Sequence, residues 1–185
     1  MIFHAMSMAG PRLIEPEPHE DERGFFARTY SRAEFVAAGL APAEAECSVS
    51  FNRERATLRG MHLERHPFAE DKLVRCTRGR IWDVAVDARP ASETFGRWVA
   101  AELDALKGWA LFLPRGFAHG FITLEHSTEV FYQCSPPYES EAATGFRWDD
   151  PEVGIAWPLE PVVVSARDRA LPRLAELGSL TDLQR

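Results

Sequence analysis

Five side chains in this sequence are together able to move protons to and from carbon. They lie in two short stretches or shortly after them. Residues 57–62 read Thr-Leu-Arg-Gly-Met-His, and residues 113–121 read Leu-Pro-Arg-Gly-Phe-Ala-His-Gly-Phe. These stretches and the residues after them supply Arg59, His62, Lys72, His119 and Tyr132. A neutral histidine is suited to proton abstraction at about pH 7, and a lysine can stabilise the enolate oxygen that forms. A tyrosine can return the proton from the other face, so the set predicts proton exchange on a carbon beside a carbonyl.

Each of these side chains also has an ordinary structural interpretation. A single histidine is more often a hydrogen-bonded structural group than a base, and Lys72 stands in an apolar context typical of a solvated flank. His119 and Tyr132 fit a β-barrel core equally well. The hypothesis of a reaction site therefore depends on the combination.

Short strands separated by turn residues must position this set. Within residues 81–87, Ile, Asp, Ala and Asp alternate with Trp, Val and Val, the period of a strand. Further strands are predicted over 73–75, 96–103, 109–113, 120–124, 128–134 and 162–165. Helices are predicted over 31–41, with Ser31 as N-cap and Glu34 completing a capping box, and over 172–177. The 185 residues therefore predict one all-β domain, a double-stranded jelly-roll barrel of the cupin type, over 1–185.

The composition excludes several other classes of protein. A net charge of −7 argues against a nucleic-acid partner, which requires a basic face. No apolar run is long enough for a membrane span, and the N-terminus lacks the pattern of a signal peptide. Cys47, Cys76 and Cys134 form no CxxC motif, which fits buried thiols in a reducing cytoplasm.

A metal site is the first alternative. Residues 114–119 match the second half of a cupin metal motif, and His62 begins a loose version of the first half. That half normally has a His-x-His pair, which Glu64 breaks here, so the ligand count and spacing are poor. We expect no metal, while a site of His62, Glu64 and His119 stays open.

Nine stretches in order along residues 10–172 resemble the dTDP-4-dehydrorhamnose 3,5-epimerase family of nucleotide-sugar enzymes. They are 21–26, 58–62, 72–74, 83–87, 92–96, 114–121, 148–151, 155–158 and 165–168. Matches of this length in this order are more specific than any one motif. The resemblance implies a cupin jelly roll, usually a homodimer, that uses no metal and no cofactor.

The resemblance also implies a role for each matched residue. His62 would be the base with Asp168 as its partner, Tyr132 the acid on the opposite face of the sugar, and Lys72 the group that stabilises the enolate oxygen. Tyr138 would stack on the nucleotide base. The other implied substrate contacts, chiefly to the diphosphate, are Arg23, Arg59, His119 and Arg167.

Four departures from the family pattern concern the substrate end. Residues 47–49 read Cys-Ser-Val where the best-known members carry Gln-Asp-Asn, and Glu70 replaces a glutamine near the lysine. Arg28 and Ala143 stand where the family has glutamates, so Arg28 becomes a candidate contact to the nucleotide. We therefore expect weak discrimination among dTDP, CDP and GDP sugars.

Three functional alternatives remain beside a 3,5-epimerase. The chain could invert one centre only, it could be a keto-isomerase of a CDP- or GDP-sugar, or it could be a non-catalytic sugar-binding cupin. A binding module has no need of an acid such as Tyr132 opposite His62.

Overall fold

Two β-sheets with a shared core form the framework of the structure. The computed structural model describes residues 1–41, 46–135, 137 and 139–177. In chain order its strands are β1 (Ile2–Ala5), β2 (Arg12–Glu15), β3 (His19–Asp21), β4 (Gly24–Phe26), β5 (Glu46–Asn52), β6 (Thr57–Glu64), β7 (Asp71–Arg78), β8 (Arg80–Asp87), β9 (Trp98–Asp104), β10 (Ala110–Leu113), β11 (Phe117–Thr123), β12 (Thr128–Ser135), β13 (Ala143–Gly145) and β14 (Val163–Val164). The helices are α1 (Arg32–Ala37), α2 (Ala166–Arg169) and α3 (Leu174–Leu177).

The strand order separates the chain into two main sheets and one hairpin. The first sheet has the order β1-β2-β10-β7-β12-β5, and the second has the order β13-β6-β11-β8-β9, with β14 paired to β6. All of these pairings are antiparallel except that of β14 with β6. Strands β3 and β4 form a separate hairpin. The all-β prediction is therefore confirmed.

The core lies between the two sheets because alternate residues of each strand face inward. Val74, Leu111 and Val130 of the first sheet pack with Ile81 and Phe121 of the second sheet in one buried cluster. The residues that alternate with them on the second sheet pack under the C-terminal segment. That second cluster contains Met61, Leu63, Val84, Val86, Phe146, Leu174 and Leu177.

The helices are shorter than the sequence predicts. Helix α1 begins after Ser31, whose hydroxyl accepts from the backbone N–H of Glu34 at 3.5 Å. The Glu34 carboxylate binds the N-terminal amine instead of closing the capping box. Gly39, with a φ of +73°, follows the end of the helix, which explains why it does not reach residue 41. None of the helices in the described residues is long and apolar enough to span a membrane.

Gly60 creates a bulge in β6 that sets the direction of the two motif side chains. His62 pairs with His119 while Arg59 pairs with Phe121, so three steps along β6 face two along β11. Arg59 and His62 therefore lie on the same face of the sheet. Gly60 has a φ of +138°, and a Cβ at this residue would lie 2.7 Å from the Cα of Gly120. A larger residue would have to separate the two strands.

We predict that Gly60→Ala lowers the thermal midpoint, because the variant adds backbone strain and a clash with a neighbouring strand. The expected loss in the free energy of unfolding is roughly 2 kcal/mol or more. Gly24→Ala is the matched control, since Gly24 has a φ of +121° and no atom within 4 Å of the added Cβ. Thermal unfolding followed by circular dichroism measures both variants, and equal losses would contradict the steric argument.

Candidate active site

A cavity of about 220 Å³ opens between the two sheets and is lined by residues of β5, β6, β7 and β12. Residues from both sheets line it, among them His62, Glu64, Glu70, Lys72, Tyr132 and Cys134. A second cavity of about 400 Å³ adjoins it and is lined by Arg59 and Asp168. His62 and Arg167 line both cavities, so the two form neighbouring compartments around one histidine.

His62 is held by a buried carboxylate. Its Nε2 lies 2.8 Å from Oδ1 of Asp168, which is 3% exposed, and Oδ2 accepts from the backbone N–H of Gly60 at 3.3 Å. Ser165, the N-cap of α2, accepts from the backbone N–H of Asp168 at 3.0 Å. Burial alone would raise the pKa of Asp168, but hydrogen bonds from His62 and Gly60 hold it below its ordinary value.

Asp168 is therefore a carboxylate at neutral pH and accepts the Nε2–H of the imidazole. In the neutral ring the other nitrogen, Nδ1, then carries the lone pair. A histidine held in this way is oriented as a base, and the aspartate stabilises the imidazolium once a proton has been taken.

Tyr132 approaches from the other sheet. Its strand, β12, belongs to the first sheet, whereas His62 lies on β6 in the second sheet. The hydroxyl groups of Tyr132 and Ser50 are 3.0 Å apart. Burial raises the pKa of the Tyr132 phenol well above its usual value. The phenol therefore keeps its proton at neutral pH and is available as a donor.

His119 lies behind Tyr132. Its Nε2 is 2.7 Å from Oδ1 of Asp83, both residues are buried, and its ring meets the Tyr132 ring edge-on with the centroids 6.0 Å apart. The family resemblance implies a substrate contact for His119, chiefly to the diphosphate. In the structure His119 is buried in the barrel against the Tyr132 ring and lines neither cavity.

Lys72 lies at the end of the cavity among acidic groups. It forms an ion pair with Glu70, and the lysine side chain is 14% exposed. Glu46, Glu64 and Cys134 line the same end. An ammonium in a site this sheltered from water interacts with a developing oxyanion far more strongly than it would in solution.

Sequence comparison decides the family. The sequence profile of dTDP-4-dehydrorhamnose 3,5-epimerase matches residues 5–176. The dTDP-4-dehydrorhamnose 3,5-epimerase of Sinorhizobium fredii is 42% identical over 178 residues, which cover 96% of this chain and 91% of the relative. This chain belongs to the dTDP-4-dehydrorhamnose 3,5-epimerase family. It is therefore an enzyme of the isomerase class.

Solved structures of related epimerases share the fold. The dTDP-6-deoxy-D-glucose-3,5-epimerase of Legionella pneumophila, in complex with dTDP-4-keto-L-rhamnose, matches with a TM-score of 0.92 at 30% identity and covers 100% of this chain and 98% of its own. A 3'-monoepimerase from Streptomyces bikiniensis, in complex with dTDP-quinovose, matches with a TM-score of 0.89 at 34% identity and covers 97% of this chain and 91% of its own. The predicted cupin jelly roll is confirmed.

The four arginines that the resemblance and its departures single out lie in three separate places. Arg59, whose Nε donates to Oδ1 of Asn52 at 2.8 Å, and Arg167 line the second cavity. Arg23 pairs with Asp21 on the β3–β4 hairpin and has an 85% exposed side chain. Arg28 lines a different pocket with Phe26 and Glu34. Arg23 and Arg28 therefore do not line the cavities around His62, and Tyr138 lies outside the described residues.

The substituted segment 47–49 contributes one side chain to the cavity. Ser48 lines it, whereas Cys47 and Val49, which are exposed, do not. This alternation is that of β5, in which neighbouring residues point to opposite faces. Weak discrimination among nucleotide bases was expected because Cys47 and Val49 replace polar side chains. In this structure both side chains point away from the cavity of the same chain.

The partners of the motif residues were not predictable from the sequence. Asp83, Ser50 and Asn52 each hold a motif side chain but carry no local signature, because their contacts come from strand pairing. The position of Glu64 could have been predicted. Because β6 runs through the motif, Glu64 lies two residues after His62 and shares its inward face. In the described part of the chain, no three His, Cys, Asp or Glu side chains converge as metal ligands.

Glu64 should make the stability of this epimerase depend on pH. Burial, followed by the charge of Glu70, raises its pKa to about 7, while Lys72 and the backbone N–H of Glu139 act in the opposite direction and Glu46 adds a smaller repulsion. An acid whose pKa is higher in the folded state favours folding most below its unfolded pKa of about 4.3. That contribution is lost as the pH rises toward the folded value.

We therefore predict that Glu64→Gln raises the thermal midpoint at pH 8 and that the gain shrinks toward pH 5. Glu102→Gln is the control, since Glu102 is an exposed residue of β9 that pairs with Arg80. Differential scanning calorimetry across this pH range measures both variants. A gain from Glu64→Gln that is the same at both pH values would contradict the assignment.

Proposed function

We propose that the protein epimerises a nucleoside-diphosphate 4-keto-6-deoxy sugar of the dTDP-4-dehydro-6-deoxyglucose type. The reaction removes and returns protons at C3, C5 or both, through an enolate, as a step in the biosynthesis of a deoxysugar such as rhamnose. One observation carries the proposal: an oriented histidine base and a protonated tyrosine approach the same cavity from opposite sheets.

Proton abstraction is the role of His62. The C3 and C5 protons of a 4-keto sugar are acidic because both carbons adjoin the carbonyl. His62 takes one of them, the electrons of the C–H bond form the enolate, and the negative charge gathers on the C4 oxygen. Lys72 stabilises that oxygen more in the transition state than in the ground state. Asp168 stabilises the resulting imidazolium.

Inversion requires the proton to return on the other face. Tyr132 donates it from the opposite sheet, so the carbon regains a proton in the inverted configuration. The phenolate and the imidazolium that remain recover their starting states by proton exchange with solvent. A module that only bound sugars would have no use for a phenol in this position.

The diphosphate belongs in the second cavity. Arg59 and Arg167 supply two guanidinium groups beside His62, and paired guanidinium groups suit a diphosphate through bidentate contacts. The hexose then extends from the arginines past His62 toward Lys72. No cofactor takes part in this chemistry, since the carbonyl of the substrate itself acidifies the protons.

Epimerisation at a single centre is the second candidate. The 3'-monoepimerase of Streptomyces bikiniensis has a TM-score of 0.89, close to the 0.92 of the 3,5-epimerase from Legionella pneumophila. One fold with this degree of similarity therefore accommodates both outcomes. The number of centres inverted depends on how the sugar is held after the first exchange.

The proposal includes a cytoplasmic homodimer. Phe25 and Phe26 on the β3–β4 hairpin are 59% and 74% exposed, which is costly for large apolar side chains in water. A second copy of the chain would cover this hairpin, and Arg23 and Arg28 could then reach the nucleotide of the neighbouring subunit. The free cysteines Cys47, Cys76 and Cys134 agree with a reducing compartment.

The first test is His62→Asn in D2O with dTDP-4-dehydro-6-deoxyglucose. We expect deuterium exchange at C3 and C5 to fall by about a thousandfold or more, because the base is deleted while a polar side chain of similar width remains. Asp168→Asn should cost less, since it disturbs orientation and leaves the imidazole in place. Proton NMR follows both carbons. Exchange within tenfold of the wild type would remove His62 from the mechanism.

The second test is Tyr132→Phe in the same assay. The variant keeps the buried ring and loses one hydroxyl, so the barrel should stay folded. Exchange should remain within about tenfold, while net inversion should fall about a hundredfold or more. The control is Tyr30→Phe, because Tyr30 packs on Phe35 and does not line the cavity. If exchange and inversion fell equally, Tyr132 would have a role other than reprotonation.

A further inference from the structure

Glu64 differs from the other charged groups that line the first cavity. It is 4% exposed, and within the part of the chain that the structure describes neither carboxylate oxygen has a hydrogen bond of normal geometry; the backbone N–H of Glu139 lies near enough to lower its pKa but makes no such bond. The nearby ammonium of Lys72 is already paired with Glu70. A buried carboxylate without a donor is unfavourable in the empty protein, so it points to a donor that arrives with a bound molecule.

The position of Glu64 follows from the geometry of β6. Glu64 lies two residues beyond His62 on the inward face, about 7 Å along the strand. Arg59 lies on the same face in the other direction. The order along β6 is therefore Arg59, His62 and then Glu64, which has Lys72 nearby.

A substrate that follows this order has its ketone end beside Glu64. The ketone oxygen takes Lys72, and the carbons on either side of it are C3 and C5. In a 6-deoxy sugar, C5 carries a methyl group, which has no donor. The group on C3 is then the nearest donor that the sugar itself can offer to a carboxylate.

We propose that Glu64 accepts a hydrogen bond from an O–H or N–H group on C3 of the hexose. It thereby selects sugars that keep such a donor beside the ketone. The assignment rests on the proposed function, because that function sets the direction in which the sugar lies. It makes Glu64 a specificity residue that contacts the substrate without transferring the reacting proton.

Binding of unreactive sugars tests the assignment without turnover. The ligands are 6-deoxyglucose, its 3-deoxy counterpart and its 3-amino counterpart, each linked to whichever of dTDP, CDP or GDP binds the wild type most tightly. A C4 hydroxyl replaces the ketone in all three. Isothermal calorimetry compares the wild type with Glu64→Met, which keeps the length of the side chain and removes both acceptors.

The wild type should bind the 3-hydroxy or the 3-amino sugar about tenfold to a hundredfold more tightly than the 3-deoxy sugar. Glu64→Met should abolish that preference and leave the affinity for the 3-deoxy sugar within about threefold. The tighter of the two donor ligands identifies the group as hydroxyl or ammonium. Glu64→Gln should keep part of the preference for a hydroxyl, since the amide oxygen still accepts. Glu102→Gln is the control outside the cavity.

Two results would overturn the assignment. One is an equal loss of affinity for all three sugars in Glu64→Met, which would indicate a general effect on the cavity. The other is no difference between donor-bearing and 3-deoxy sugars in the wild type. Thermal unfolding checks the fold, and Glu64→Met should be at least as stable as the wild type because it removes an unpaired buried charge.

The proposed function can fail separately. A wild type that catalyses no exchange in D2O but prefers a C3 donor would be a binding protein with this subsite. A wild type that exchanges protons but shows no preference dependent on Glu64 would be an epimerase without it.

Discussion

The hydrogen bond between His62 and Asp168 is the interaction on which the rest of the site depends. It joins β6 to α2 through two residues that are 106 positions apart in sequence. The bulge at Gly60 turns His62 inward, and the same residue donates its backbone N–H to Asp168. Helix α2 is only four residues long and is capped by Ser165, and it also brings Arg167 to both cavities. The C-terminal segment thus returns to the barrel to orient one imidazole ring.

Each of the two sheets supplies one of the two side chains proposed to transfer protons. The second sheet supplies a histidine whose aspartate stays ionised, and the first sheet supplies a buried phenol that is protonated at neutral pH. His119 and Asp83 support that phenol as a second histidine–aspartate pair inside the barrel. The proposed base and the proposed acid therefore differ in their environments as well as in their side chains, which is the difference that removal and return of a proton in one cavity requires.

The inward-facing positions were predictable from the sequence to the extent that they follow the period of a strand. Alternation identified β8, and the motif around His62 was recognisable once its length and order were compared with a family. Asp168 was found by resemblance alone, because nothing local links it to His62. Ser50, Asn52 and Asp83 were missed since their roles arise from register between distant strands. Strand ends were misplaced by a few residues wherever charged residues such as Asp71 or Lys72 extend a strand past its apolar centre.

The most direct test of the account is the protonation state of the His62 ring, measured by nitrogen-15 NMR at pH 7 on protein labelled at its six histidines. The spectrum of His62→Asn assigns the resonance. The account predicts that Nε2 carries a proton donated to Asp168 and that Nδ1 is unprotonated and available as the base. A proton on Nδ1 with Nε2 unprotonated would contradict it, because the lone pair of the ring would then lie on Nε2, where it faces Asp168 and cannot take a proton from the substrate.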